Sequence, residues 1–411
     1  MKFLLQSNFM RSITAIAKLF VGYIVVVSGV MACESFEPST PAANESLDGP
    51  VEGLTHDQQL VHLRGDVAFN DEIFTPQTGL GPVFVATSCG SCHPGDGKGH
   101  PFTTLTRFGQ TDSTGNQFRS QGGPQLQNRA IPGFTPEQIP AGATSARFTP
   151  PANTGLGFLE FVSDADILAL SDPTDSNADG ISGVPNWISL PTYVTPRPGA
   201  VTQSGKYIGR FGKKAPVYSL LQQTVNAYNQ DIGITSTFEP KDPYSLQDVN
   251  PEISASTVHD VVFYLQTLKA PVARSASDAE VLTGKLRFNT IGCENCHTQS
   301  LHTGNSSIAA LTNKDISPYT DLLLHDMGPG LDDGYTEGNA KTFEWRTPAL
   351  WGLGLSKNSQ GGEYFLMHDG RARSIDAAIQ LHGGEATNSR TNFNQLSAGD
   401  KAALVKFLES L

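Results

Sequence analysis

The sequence predicts a mainly α protein built of two like domains, with a Gly/Pro-rich loop insertion in the first. Three observations predict it. Cys89-Gly-Ser-Cys92-His93 recurs as Cys293-Glu-Asn-Cys296-His297. An apolar stripe at i, i+3, i+4, i+7 closes each half: Val261, Tyr264, Leu265 and Leu268 before Pro271, then Leu404, Phe407, Leu408 and Leu411. The 41 Gly and 26 Pro require much ordered loop. From His93 to Leu268 is 175 residues and from His297 to Leu411 is 114, so the first half is longer by about sixty. The surplus is assigned to the excursion between Phe102 and Gly212.

Residues 1–32 hold Lys2, Arg11 and Lys18, no acid, and an apolar run from Leu19 to Met31. That run is too short to span a membrane and reads as a secretory signal. Val30-Met31-Ala32-Cys33 resembles a bacterial lipobox, which would lipidate Cys33; an ordinary signal with an incidental cysteine is the alternative. Residues 33–53 read as a flexible tether, rich in Ser, Pro, Ala and Glu. Glu34 after the cysteine suits outer-membrane sorting, so the expectation is a lipid-anchored periplasmic protein.

Each Cys-x-x-Cys-His run is the pattern that attaches haem c: two thiolates add to the porphyrin vinyls and the adjacent histidine becomes the proximal iron ligand. A zinc site wants four ligands, and each run offers three with no fourth cysteine nearby. Two covalent haems bound through Cys89, Cys92, His93, Cys293, Cys296 and His297 are therefore expected. They use every cysteine but Cys33, which leaves no free dithiol for thiol chemistry. Small cytochrome c domains pack a helix ahead of the haem motif against a closing helix. The predicted pair in the second half is Glu280–Asn289, with Leu282, Leu286 and Phe288 facing inward, and Ser397–Leu411, capped by Ser397. Each half thus reads as a cytochrome c-like domain, 54–270 and 271–411. In the excursion, Asp175, Asn177 and Asp179 before Gly180 have the alternating oxygens of a calcium loop. Position twelve is Asn186 rather than Glu, and a metal-free run of Asx turns is the alternative.

The formal charge of −12 becomes −15 once the three leader cations are removed, and haem propionates lower it further. Nucleic acid is excluded as a partner, and a small basic electron-donor protein would be steered favourably.

Several phrases carry a family resemblance. Phe343-Glu-Trp-Arg-Thr-Pro-Ala-Leu350 and His368-Asp-Gly-Arg371 resemble the di-haem cytochrome c peroxidases. Phe74-Thr-Pro, Asp179-Gly-Ile-Ser-Gly183, Leu322-Leu-Leu-His-Asp-Met-Gly328, Thr347-Pro-Ala-Leu-Trp-Gly352 and Leu381-His-Gly-Gly-Glu-Ala386 resemble the bacterial di-haem oxidoreductases. The resemblance covers most of residues 55–411 and implies the following. The second haem takes a distal ligand fourteen residues past His368, which is His382, with Met327 as the rival. The first haem has an open face lined by a glutamine and a carboxylate, matched by Gln223 and Asp231; an ordinary helix residue and a cap are the alternatives. The relatives' dissociable histidine has no counterpart, since position 109 is Gly, and His56, His62, His100 and His259 supply no evident ligand. Lys213 stands where relatives carry a Trp between the haems, so Phe211 or Trp345 must substitute or transfer is direct. Arg346, Arg371 and Arg373 are candidates for propionate pairing. The implied function is a peroxidase-type oxidoreductase in which a donor feeds the C-terminal haem and the N-terminal haem reacts with peroxide or another small oxidant. The competing expectation is a non-catalytic di-haem electron carrier, in one version serving iron acquisition.

Overall fold

Each principal helix begins at a side-chain cap. The computed structural model describes Ala42 and residues 47–411; the signal segment and Cys33 lie outside them. Six helices frame the site: α1 His56–Asp66, α2 Leu220–Ala227, α3 Ala255–Thr267, α4 Ala279–Thr290, α5 Ile375–Gln380 and α6 Ala398–Ser410. Their caps are Thr55, Ser219, Ser254, Asp278, Ser374 and Ser397, each accepting a first-turn N–H. No helix among the described residues is long and apolar enough to cross a membrane.

The same crossing is built twice. On α1, Gly65 lies against the Asp260 carbonyl and Tyr264 of α3; on α4, Gly284 lies against the Ala403 carbonyl and Phe407 of α6. One turn beyond each glycine is a phenylalanine, Phe69 or Phe288. Its ring stands 6.0 Å from His93 or 6.3 Å from His297, and 5.6 Å from Tyr264 or 5.4 Å from Phe407. The glycine lets two helix backbones meet, and the aromatic pair behind it walls the haem-motif histidine. This geometry corrects one detail of the α4 prediction. The inward face is Val281, Gly284 and Phe288, whereas Leu282 and Leu286 are 53% and 59% exposed.

The mainly α expectation is overturned: helix covers 33% of the chain and strand 12%. Residues between and around the helices form short antiparallel ladders instead. β1 Leu105–Phe108 pairs with β2 Ser145–Phe148, and β3 Leu324–Asp326 pairs with β4 Glu344–Arg346. Gly and Pro in this density break helices after a turn or two, and the freed backbone groups pair across strands. Ser46–Leu411 is one compact unit. The core around the first crossing also takes in Leu301, Leu311, Leu322 and Leu323; a second core surrounds Phe288, Phe393 and Phe407. The last residues of the tether are bonded down: Val51 N–H donates to the Thr267 carbonyl at 2.7 Å.

Candidate functional site

Both Cys-x-x-Cys-His runs are tight turns in which the histidine N–H donates to the first cysteine's carbonyl at 3.0 Å. All four thiols are free. Burial, followed by the nearby Asp231, pushes Cys89 up to about 12; burial also pushes Cys92 to about 11 and Cys293 to about 12. A reactive dithiol or a zinc thiolate needs the opposite shift. Neutral thiols held beside a histidine fit a group that bonds to both sulfurs.

Three histidines share one arrangement. His93 Nδ1 lies 2.9 Å from the Pro151 carbonyl, His297 Nδ1 3.0 Å from that of Tyr319, and His382 Nδ1 2.8 Å from that of Ala378. Burial lowers all three, His93 and His297 to about 4, so each is a neutral imidazole with its proton on Nδ1. Nε2 is then a free lone pair, the atom an iron ligand must offer. His382 follows α5, and it lines the same cavity of about 330 Å³ as Cys293, Cys296 and His297. Met327 also lines that cavity, and packs on the cluster of Phe148, Leu331 and Trp345.

Lys98, Lys213 and Arg346 line this cavity too, and none has an ion-pair partner among the described residues. Burial and then the mutual repulsion with Lys98 and Arg346 hold Lys213 far below the usual lysine range; burial brings Lys98 to about 8. Buried basic groups with no such ion-pair partner, beside two thiols and two imidazoles, suit the carboxylates of a haem, which would favour their charged forms. Arg371 is spent on Asp333 and Asp369, and Arg373 on Glu363, so Arg346 is the arginine left for propionate. Trp345 is buried in the cavity wall, stacked on His368 at 3.7 Å, while Phe211 belongs to the first core. His325, opposite Trp345 in the β3–β4 ladder, is clamped between Asp321 at 2.8 Å and Glu385 at 2.7 Å.

Near the first motif the furnishing differs. Asp231 sits on the short π-helical turn after α2, and its carbonyl accepts N–H bonds from Val85 and Ala86. That backbone pairing brings its carboxylate beside Cys89 and Cys92. Burial raises Asp231 to about 6. Gln223, on α2, makes no side-chain hydrogen bond among the described residues; the amide that meets Asp231 is Gln125, whose Nε2 donates to Asp231 Oδ1. Nothing in the sequence pointed to Gln125, which lies 106 positions away. The remaining histidines lie elsewhere: His56 is exposed at the start of α1, His62 meets Thr267, His100 sits between Phe102 and Phe365, His259 packs against Phe238 and His302 pairs with Asp315.

In the calcium-like loop, Asp175, Asn177 and Asp179 accept N–H bonds from Gly180, Asp179 and Ile181. The last two are Asx turns, and the Asp175 contact closes a longer loop of five residues. Asn186, the twelfth position, points elsewhere, donating to the Lys214 and Glu337 carbonyls.

Residues 143–411 match the model of a family described as "Di-haem oxidoreductase, putative peroxidase". No curated protein matches the chain. Among solved structures, it is similar to hydrazine synthase of Kuenenia stuttgartiensis, at 14% identity and a TM-score of 0.37 over 91% of this chain and 98% of that one. It is also similar to the di-haem peroxidase BthA of Burkholderia thailandensis, at 15% identity and a TM-score of 0.40 over 86% of each chain.

Proposed function

This chain belongs to the di-haem oxidoreductase family, and from that premise we propose that it is a peroxidase-type enzyme carrying two covalently attached haems c. One observation carries the reading: the two motif sites are furnished unequally. The second holds two neutral imidazoles with free Nε2 atoms, His297 and His382, enough to saturate an iron. The first pairs His93 with a carboxyl group, Asp231, and an amide donor, Gln125. Bound haem would supply the redox chemistry, passing electrons from a small donor protein through the C-terminal site to the N-terminal one, where two electrons and two protons would reduce peroxide to two waters.

The chain's own residues do the rest. Cys89, Cys92, Cys293 and Cys296 anchor the porphyrins, and His93, His297 and His382 hold iron through Nε2. Lys98, Lys213 and Arg346 neutralise propionates. Asp231 takes a proton from the near oxygen of peroxide and returns it to the far one, general acid–base work suited to a carboxyl group that titrates near 6. Gln223, on the adjoining helix, is the second polar candidate for that face. A calcium ion would take the oxygens of Asp175, Asn177 and Asp179 from the loop N–H groups they now cap; calorimetric titration of chelator-treated protein decides this. Export with lipidation at Cys33 and an outer-membrane anchor complete the proposal, checked by palmitate labelling of wild type against Cys33→Ser.

Cyanide titration of the oxidised protein and carbon monoxide titration of the reduced protein test the reading. One ligand bound per chain, beside one low-spin six-coordinate iron, is expected. Two irons that both refuse ligand would leave a pure electron carrier.

A further inference from the structure

Asp231 is the visible end of a longer chain of side chains. Gln125, 2% exposed, donates its Nε2 to Asp231 Oδ1 and, at 3.2 Å, to the Gln230 carbonyl. Its Oε1 accepts from Arg107 Nη1 at 3.3 Å, and the same nitrogen donates to Gln230 Oε1 at 3.1 Å. Arg107 is held in turn by Glu337, with Nε 2.5 Å from Oε1, and by the Tyr335 hydroxyl. Glu337 is 5% exposed and Tyr335 1%.

Every polar atom of the Gln125 amide is thereby assigned. Rotating the amide by half a turn would set its oxygen against the Asp231 carboxylate and the Gln230 carbonyl, and its NH₂ against a guanidinium. Three attractive contacts would become repulsive, so one orientation survives. That orientation is imposed from the Arg107 side, since a guanidinium can only donate.

We propose that Arg107, fixed by Glu337 and Tyr335, is the positioning residue for the proton-transfer site of the N-terminal haem, acting through Gln125 to dedicate Asp231 Oδ1 to a permanent hydrogen bond and leave Oδ2 as the atom that exchanges protons. The inference rests on the assignment of Asp231 as the acid–base group. It adds that residues 335–337, far along the chain from the first haem motif, complete that motif's site. The charged and titratable groups around Asp231 are Arg107 from β1 and Cys89 and Cys92 from the motif turn; Glu72 and Tyr228 face Cys89, Arg129 faces Cys92, and Glu337, Tyr335 and Arg119 face Arg107.

The test is the pH dependence of cyanide affinity at the N-terminal haem of the holoprotein, with far-UV dichroism and haem content as controls for folding. Wild type should show an inflection that Asp231→Asn removes. Gln125→Leu and Arg107→Gln should each move it upward by about one pH unit, the size of one lost hydrogen bond to a carboxylate. Arg107→Lys, which keeps the positive charge and, unlike glutamine, can only donate, should restore most of the shift. An inflection removed by Asp231→Asn but unmoved in Gln125→Leu and Arg107→Gln overturns this inference and leaves the acid–base assignment standing. An inflection that survives Asp231→Asn overturns both. Wild type supplies a second readout that needs no buried variant beyond Asp231→Asn: the pH-difference infrared carboxyl band lost in that variant should fall at a hydrogen-bonded frequency, and a free-carboxyl frequency refutes the arrangement.

Discussion

Replacing Gly284 by alanine sets two effects of opposite sign against each other. In an exposed helix the change would stabilise by about 0.8–1.0 kcal/mol, because alanine is the better helix former. At this crossing the added Cβ would lie 2.0 Å from the Ala403 carbonyl oxygen, 2.6 Å from its carbon and 2.7 Å from Phe407 Cβ. These obstacles are backbone and Cβ atoms, which no rotamer change removes. Relief requires α4 and α6 to part by more than an ångström, which loosens Phe288 from Phe407 and from His297. Overpacking costs about 1–3 kcal/mol and occasionally more, and a 2.0 Å contact with backbone belongs in the upper half of that range, about 2–3 kcal/mol; the net expectation for Gly284→Ala is a loss of roughly 1–2 kcal/mol. The control is Gly399→Ala in the first turn of α6, where a Cβ would meet only Ser397 Oγ at 3.9 Å; it should be neutral or stabilising by a few tenths of a kcal/mol. Urea unfolding of the holoproteins by far-UV dichroism measures both. A Gly284→Ala protein as stable as wild type would refute the claim that backbone contact at this glycine holds the second crossing together.

The other expectations are briefer. His382→Met should raise the reduction potential of the C-terminal haem by on the order of 0.1 V within the ≈ 0.8 V that axial ligands span; an unchanged spectroelectrochemical potential removes His382 from the iron. Burial alone would lower His325, yet its bonds to Asp321 and Glu385 hold it well above the ordinary 6.5. His325→Leu leaves two carboxylates uncompensated and should cost about 3–5 kcal/mol. Because the folded value is raised, this contribution is complete below the ordinary histidine pKa and is lost as pH climbs through the folded one. The deficit of His325→Leu in urea unfolding must therefore shrink in alkali, and a pH-independent deficit would contradict the clamp. Asp231, lifted by burial to about 6, must be ionised to accept a proton, so peroxide turnover should fall as pH drops through that value. Asp231→Asn should lower turnover on the order of 10²–10⁴-fold; stopped-flow rates that keep their acid limb in this variant point to another base.

What was legible in the chain was local. Each Cys-x-x-Cys-His run closes as one tight turn within its own five residues, and the stripes Val261–Leu268 and Leu404–Leu411 bury as their 3.6-residue period requires. The inner face of α4 was misread because hydrophobicity favours Leu282 and Leu286 over Gly284, although it is the missing side chain that allows the close approach. The helical class failed for a related reason: apolar periodicity marks the two ends of each half and says nothing of the ladders that Gly and Pro force between them. Gln125 and Arg107 could not be read at all. An isolated bridge aligns Arg107 with Gln125, and the turn after α2 meets them only through tertiary pairing.

The doubled crossing has a bearing on how the chain tolerates length. The helices that meet in the first half are separated by roughly 190 residues and those in the second by roughly 110, yet logarithmic loop closure makes the longer route dearer by only about 0.5 kcal/mol. Length added or removed in the exposed stretches of the excursion would thus cost its helix pair little, provided Pro151, which holds His93, and Phe158, Leu159, Val162 and Ile167 of the first core keep their places. Variation there, away from Arg107 and Gln125, can reshape the surroundings of the first motif while the contact behind Phe69 stays as it is.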